Sequence, residues 1–212
     1  MLTNDDGGDA PGITAVHDAL VAAGHSVTML LAPEVNQSGS GARTTYSGAL
    51  AVGQPELGKY WVKGSPADAA EFGLSTVFAD EAPDLVISGT NAGQNIGAAA
   101  ITSGTIEAAA TAINEGVPAI AVSTENARNG VSPYTETADF VVDLVSSLDE
   151  HSKKGPILPT GIGLNVNYPV VDGGTDTTAI EDDKVAVSVI TGNYDASQGS
   201  IGSVRSAIET LG

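Results

Sequence analysis

The chain has 212 residues, of which 42% are hydrophobic, and it contains no cysteine. This length and composition predict one large globular domain, and they exclude a disordered tail and a disulfide-stabilised miniprotein. The sequence shows no run of about 18 apolar residues and no secretory signal, so we expect no membrane span. The absence of cysteine fits a reducing compartment, and we expect a cytoplasmic protein.

The formal net charge is −18, although charged residues make up only 16% of the chain. The imbalance arises from scarce Lys and Arg more than from surplus acid. Such a surface repels the phosphate backbone of nucleic acids, so we do not expect duplex binding. An acidic, lysine-poor surface is typical of a salt-adapted organism, because salt screens the self-repulsion, and we hypothesise a halophilic source.

Short apolar runs alternate with helical patterns along the chain. The first helix is predicted from Pro11 to Ala23, with Ile13, Val16 and Leu20 on one face. Strands are predicted at 26–31, 84–88, 118–123, 161–167 and 185–190, a short strand at 60–61, and further helices over 104–115, 135–148 and 204–211. This alternation predicts an α/β fold in which helices cover both faces of a parallel sheet.

Two adjacent carboxylates, Asp5 and Asp6, follow the first strand and precede glycines and a helix start. Ligands of open α/β sheets bind beyond the carboxyl ends of the strands. Two neighbouring carboxylates repel each other unless a proton or cation lies between them, and a hard divalent ion is a natural partner. The alternative is an acidic turn that caps the helix, since Asp and Gly are common in both places.

Two further polar segments also follow strands. The segment around Ser38 is rich in hydroxyl, amide and glycine, and by itself it favours a surface loop over a ligand site. Asn91 follows the next strand and offers a carbonyl oxygen beside glycines that permit close approach of a ligand.

A polar helix start completes the pattern. Thr102, Ser103, Gly104 and Thr105 open an Ala-rich helix, where free N–H groups and hydroxyls form an anion site. Simple capping by Ser103 or Thr102 would also account for these residues. A metal and phosphate site explains all four segments together, whereas chance loops must explain each one separately.

Five segments in chain order resemble the SurE family of survival-protein nucleotidases. They are TNDDG at 3–7, APEVNQSG at 32–39, GSPAD at 64–68, SGTNAG at 88–93 and SGT at 103–105. The resemblance covers about Leu2 to Val166. It implies a single Rossmann-like α/β domain over 1–212, with a core at 1–167 and a small, shortened C-terminal extension at 168–212.

The resemblance implies a metal-dependent phosphatase that hydrolyses nucleoside 5′- and 3′-monophosphates, with one Mg²⁺ or Mn²⁺ ion per subunit. Asp5, Asp6, Ser38 and Asn91 match the metal ligands, and Asp5 and Asp6 are the catalytic candidates. Asn95, Ser103, Gly104 and Thr105 match the phosphate-binding residues. Gly64, Ser65, Pro66 and Asp68 match a motif that we expect to shape the pocket wall.

The family uses a long hairpin after the strand near Val166 for exchange between subunits, and here that stretch is nearly absent. We therefore expect a homodimer or homotetramer of undetermined geometry. We also expect the sequence to be incompletely represented there and before the first strand.

Three alternatives concern function. The first is a catalytically silent nucleotide-binding module, which the sequence does not distinguish from an active enzyme. A signalling receiver domain requires a phosphoacceptor Asp at the end of a later strand, where this chain has Ser88-Gly89. A haloacid-dehalogenase-type phosphatase requires Asp-x-Asp, whereas Asp5 and Asp6 are adjacent.

Overall fold

The computed structural model describes residues 1–27, 30–126, 130–153, 155–170 and 185–191. Its strands are β1 (Leu2–Thr3), β2 (Leu30–Pro33), β3 (Val52–Glu56), β4 (Lys59–Val62), β5 (Val86–Ala92), β6 (Ala119–Thr124), β7 (Ile162–Tyr168) and β8 (Ala186–Thr191). Its α-helices are α1 (Pro11–Ala22), α2 (Pro66–Phe72), α3 (Ala98–Thr102), α4 (Gly104–Asn114) and α5 (Tyr134–Ser152), and a π-helical turn at Gly73–Val77 follows α2.

The eight strands form one sheet in the order β3-β4-β2-β1-β5-β6-β7-β8. The six strands from β4 to β7 are parallel, and β3 and β8 pair antiparallel at the two edges. The predicted α/β class and mostly parallel sheet are confirmed. Of the helices in the described ranges, none has both the length and the apolar character needed to span a bilayer.

Helices cover both faces of the sheet, as predicted. On one face α1 and α5 pack on the strands, and the predicted stripe of Ile13, Val16 and Leu20 is buried there. On the other face, small residues of α2 and α4 lie close to the sheet, with Ala108, Ala109 and Ala112 fully buried. The carboxyl ends of the parallel strands therefore meet at one edge, between the two helical layers.

Several predicted boundaries differ from the structure. The second strand was expected over 26–31; residues 28–29 of that range lie outside the described residues, 26–27 are irregular, and the strand found is Leu30–Pro33, which pairs with β4. β5 was expected to end at Ser88 and continues to Ala92, because after a register shift Asn91 and Ala92 pair with Ser123 and Thr124 of β6.

The segment at 64–68, which without the resemblance predicts a turn and helix cap, begins α2 with a capping box between Ser65 and Asp68. β8 lies in the predicted C-terminal extension and joins the sheet beside β7. The division at 167 stays a prediction, and the helix predicted over 204–211 lies outside the described residues.

Candidate metal and phosphate site

One cleft lies at the carboxyl edge of the sheet and has a volume of about 180 Å³. It is bordered by the turn after β1, the loop after β2, the end of β5 and the start of α4. Five of the candidate side chains predicted from the sequence line it: Asp5, Ser38, Asn91, Asn95 and Ser103. The strand-end argument therefore predicted correctly that these side chains meet at one cleft, while the role of each residue stays a prediction.

The turn that carries the two carboxylates is held by Asn4. The Asn4 side chain donates to the Gly7 carbonyl at 2.8 Å and accepts from the Gly7 N–H at 3.2 Å, so one amide spans the turn. Gly7 has φ of +104°, a conformation that side chains rarely adopt. Asp5 and Asp6 lie within this fixed turn, directly after β1.

Asp5 is the buried member of the pair, with 2% of its surface exposed. Its carboxylate accepts a hydrogen bond of 2.7 Å from the Thr105 hydroxyl, and its carbonyl accepts one of 2.7 Å from the Gln37 N–H. Burial raises the pKa of the Asp5 carboxyl; the Thr105 hydrogen bond opposes that shift, and the neighbouring Asp6 charge adds to it. A bound cation would offset both the desolvation cost of burying the Asp5 charge and its repulsion from Asp6.

Asp6 connects the loop after β2 to the end of β5. Its Oδ1 accepts from Asn36 Nδ2 at 2.8 Å and from the Ser38 hydroxyl at 3.4 Å. Its Oδ2 lies 3.4 Å from the Ala92 N–H. This carboxylate is half-buried and is therefore the more accessible of the two to water.

The amide of Asn91 is oriented by its own turn. Asn91 Nδ2 donates to the Gly93 carbonyl at 2.7 Å, and the Gly93 N–H donates to the Thr124 carbonyl of β6 at 2.8 Å. Among the contacts of the described residues, the Asn91 side chain makes only this bond through its nitrogen, so its Oδ1 can bind a ligand in the cleft that Asn91 lines. This is the orientation that a hard cation requires.

The start of α4 combines helix capping with a place on the cleft. Ser103 is the N-cap, and its Oγ accepts from the Ile106 N–H at 3.1 Å, so the capping alternative is confirmed; the residue also lines the cleft. Gly104 allows close packing: a Cβ there would lie 2.9 Å from Asp5 Cβ and 2.8 Å from Pro66 Cγ. The Thr105 hydroxyl contacts Asp5 and is fully buried, so its predicted phosphate contact stays a prediction.

The donor set suits a hard divalent ion that retains water ligands. Among the residues the structure covers, no group of three or more His, Cys, Asp or Glu side chains is placed to share a metal. An ion here would take two carboxylates and complete its coordination with neutral oxygens from Ser38, Asn91 and water. All are oxygen donors, which Mg²⁺ and Mn²⁺ accept.

The sequence interpretation missed the residues that hold the site in place. Asn36 lies in the APEVNQSG segment at 32–39, but no role was predicted for it. Its Nδ2 donates to the Asp6 carboxylate at 2.8 Å, and its Oδ1 accepts from the Ser38 N–H at 2.9 Å. Asp68 was expected to shape the pocket wall, yet it is not among the residues that line the cleft. It instead accepts from Thr45 N–H at 2.7 Å and from its hydroxyl at 2.9 Å, which ties the loop after β2 to α2.

Comparison with known proteins identifies the family. The family described as "Survival protein SurE" matches residues 1–194. The chain is 39% identical over 173 residues to 5′-nucleotidase SurE of Nitratidesulfovibrio vulgaris (80% of this chain, 61% of the relative). It is 41% identical over 175 residues to 5′-nucleotidase SurE of Halobacterium salinarum (81% and 65%).

The chain thus spans less than two thirds of the length of these two relatives. The crystal structure of SurE protein from Aquifex aeolicus is similar with a TM-score of 0.68 and 28% identity, over 98% of this chain and 88% of that one. The sequence match and the shared fold agree, and the chain belongs to the SurE family.

Proposed function

We propose that the chain is a metal-dependent phosphomonoesterase that hydrolyses nucleoside 5′- and 3′-monophosphates. The observation that carries the proposal is that the Asp5–Asp6 turn and the Ser103 N-cap of α4 meet at one cleft. The turn offers a cation site and the helix start an anion site, which together fit a metal-bound phosphate. The activity named for the relatives belongs to longer proteins, so for this chain it forms part of the proposal.

In this proposal Asp5, Asp6, Ser38 and Asn91 hold one Mg²⁺ or Mn²⁺ ion. The Asn91 orientation supports it, because its Nδ2 is engaged by the Gly93 carbonyl. When bound, a divalent ion polarises a phosphoryl oxygen and lowers the pKa of a water molecule. Thr105 and Asn36 orient the two carboxylates through their hydrogen bonds.

The phosphate group lies against Ser103, Gly104 and Asn95. The positive end of the α4 dipole and the Gly104 N–H stabilise the negative charge that develops on the phosphoryl oxygens, while the Ile106 N–H is engaged by the Ser103 cap. Asp6 either accepts the proton of the attacking water or attacks phosphorus itself, and both roles require its ionised form. In the overall reaction the oxygen of water joins phosphorus, the bond from phosphorus to the nucleoside oxygen breaks, and that oxygen leaves protonated.

The size of the cleft supports a small reacting group. A volume of about 180 Å³ is below the roughly 300–1,000 Å³ typical of pockets that enclose a whole organic ligand. It has room for an ion and a phosphate, while the nucleoside would lie at the mouth. A range of nucleotides would then be accepted. The homodimeric or homotetrameric state, the cytoplasmic location and the halophilic source stay predictions.

The test is phosphate release from a panel of nucleoside 5′- and 3′-monophosphates with Mg²⁺ or Mn²⁺, at high and low salt, with and without EDTA. We expect release that requires the metal and that EDTA abolishes. Folded protein that binds nucleotide in the presence of the metal and releases no phosphate would instead establish a silent binding module.

A further inference from the structure

We propose that Asn165 and Asn167, two buried side chains of β7, are positioning residues that fix Asn95 on the wall of the cleft. The inference rests on the proposed function, in which Asn95 contacts the phosphate. It adds a strand that none of the motifs includes: β7 lies two strands away from β5, at whose end the turn of Asn95 begins.

Both backbone groups of Asn95 are bound by these two side chains. Asn167 Oδ1 accepts from the Asn95 N–H at 2.7 Å, and Asn165 Nδ2 donates to the Asn95 carbonyl at 2.9 Å. Asn167 Nδ2 also donates to Asn165 Oδ1 at 3.3 Å, which links the pair. The two bonds to Asn95 span 72 and 70 positions in the chain, so β7 fixes a turn that local sequence alone would leave free.

The side chain of Asn95 is held from β6. Its Nδ2 donates to the Ser123 hydroxyl at 2.9 Å, and Ser123 is directly opposite Asn167 in the parallel pairing of β6 and β7. Asn95 is 7% exposed and borders the cleft. Within the part of the chain that the structure describes, the Oδ1 of Asn95 and one of its amide hydrogens have no partner and can bind a ligand. The phosphate therefore meets a donor whose position is set before binding, which reduces the entropy lost on binding.

The chemistry of β7 supports this role. Leu164 and Val166 point into the apolar core beneath α1 and α5, so Asn165 and Asn167 point to the opposite face, where they are 5% and 1% exposed. Strands buried on both faces are ordinarily apolar, and a buried amide costs stability unless it is hydrogen-bonded. Here the Asn167 amide bonds only Asn95 and its own partner Asn165 among the contacts described, so the two amides serve the turn of Asn95.

The test compares Asn167→Ala with Val166→Ala, a matched truncation of the neighbouring core side chain. Direct binding of inorganic phosphate to the Mn²⁺-loaded protein and the KM for a nucleoside monophosphate are measured for each, together with Mn²⁺ affinity and thermal stability. We expect Asn167→Ala to weaken phosphate binding and raise KM about tenfold, with Mn²⁺ affinity within about twofold of wild type. Val166→Ala should lower thermal stability without the selective loss of phosphate.

A double-mutant comparison shows whether Asn167 acts through Asn95. In an Asn95→Ala background, Asn167→Ala should cause no further loss of phosphate affinity, because its effect passes through the missing side chain. An undiminished further loss, or equal effects of Asn167→Ala and Val166→Ala on phosphate, would overturn the positioning role while leaving the phosphatase intact. Wild-type protein that neither binds phosphate nor releases it would overturn the proposed function and this inference together.

Discussion

The hydroxyl of Thr105 donates a hydrogen bond of 2.7 Å to the carboxylate of Asp5, across a separation of 100 positions in the chain. Both side chains are buried, Thr105 completely and Asp5 to 98%. The bond fixes the carboxylate of the first turn against the first turn of α4. The cation-binding and anion-binding parts of the proposed site are therefore held at a set separation by one buried contact.

Replacing Thr105 with Val tests this contact with little change in side-chain volume. Loss of the hydroxyl removes the side-chain hydrogen bond that orients the Asp5 carboxylate, and changes to residues that orient metal ligands typically cost about 10- to 100-fold in metal affinity. We expect Mn²⁺ affinity of Thr105→Val to fall at least about tenfold, measured by titration calorimetry. Thr105→Ser, which keeps the hydroxyl, should bind Mn²⁺ like wild type. Equal Mn²⁺ affinities in the two variants would show that the Thr105 hydroxyl does not contribute to metal binding.

Position 12 requires glycine because α1 approaches the end of β5 closely there. A Cβ on Gly12 would lie 1.9 Å from the Thr90 carbonyl oxygen and 2.9 Å from its carbonyl carbon, both backbone atoms. Overpacking of this kind typically costs about 1–3 kcal/mol, and we expect Gly12→Ala to lower the free energy of unfolding by about 3 kcal/mol in a denaturant titration.

Gly8→Ala is the matched control for Gly12. Its Cβ would meet Lys59 Cε and Ala32 Cβ at ordinary contact distances of 3.6 and 3.7 Å. We expect its free energy of unfolding to stay within about 0.5 kcal/mol of wild type. If both variants unfold at the same denaturant concentration, the close approach of α1 to Thr90 is not a constraint on the fold.

Asp68 makes stability depend on pH. Burial raises the pKa of its carboxyl, but hydrogen bonds from Ser65 and Thr45 together outweigh burial and hold that pKa below its ordinary value. A carboxyl with a lowered folded-state pKa stabilises the fold above its unfolded-state pKa, and this stabilisation is lost as pH falls through the folded-state pKa. The pH dependence therefore lies on the acidic side.

Asp68→Asn removes this contribution. It should destabilise the protein at pH 7 by about 2 kcal/mol, because it breaks buried charge-assisted hydrogen bonds. The difference in unfolding free energy between wild type and variant should shrink as the pH falls through the acidic range. Ser65→Ala, which removes the Ser65 hydroxyl and keeps the backbone N–H donors of Ser65 and Thr45 to the Asp68 carboxylate, serves as comparison. A difference that is constant from neutral to acidic pH would contradict the assignment.

The net charge of −18 predicts salt-dependent stability. Raising KCl from about 0.1 M to about 1 M shortens the Debye length from about 10 Å to about 3 Å and screens the repulsion among surface carboxylates. We expect the melting temperature to rise over this range. A variant with three exposed acids neutralised, Glu71→Gln, Asp143→Asn and Glu150→Gln, should reach the same stability at lower salt. A melting temperature indifferent to salt would refute the hypothesis of salt adaptation.

Sequence reasoning located the cleft because the position of the cleft follows from a rule of topology. Asp5 and Ser38 follow β1 and β2, Asn91 lies at the carboxyl end of β5, and parallel strands bring those ends to one edge. The same reasoning predicted that β5 ends at Ser88, because the polar residues that follow are typical of a loop. The backbone instead continues in the sheet beyond a register shift, which no local preference indicates.

The supporting contacts were harder to predict. The alternation of Leu164 and Val166 with Asn165 and Asn167 is visible in the sequence, yet the partner of those amides is 70 or more positions away. The antiparallel β3–β4 hairpin was not predicted as a pair, since Gly53, Gln54 and Pro55 lower the strand propensity of β3. Gly53 lies beneath the ring of Trp61, where a Cβ would clash with that ring. This reason for a glycine at position 53 is visible only once the pairing of β3 with β4 is known.

The most direct test of the account is to measure Mn²⁺ binding by electron paramagnetic resonance together with phosphate release, in wild type and in Asp5→Asn. Asn preserves the shape of Asp5 and removes its charge, so folding is retained while the cation loses one of its two carboxylates. We predict one bound ion per wild-type chain with metal-dependent phosphate release, and the loss of most metal affinity and nearly all release in Asp5→Asn. Unchanged ion binding and turnover in folded Asp5→Asn would contradict the account.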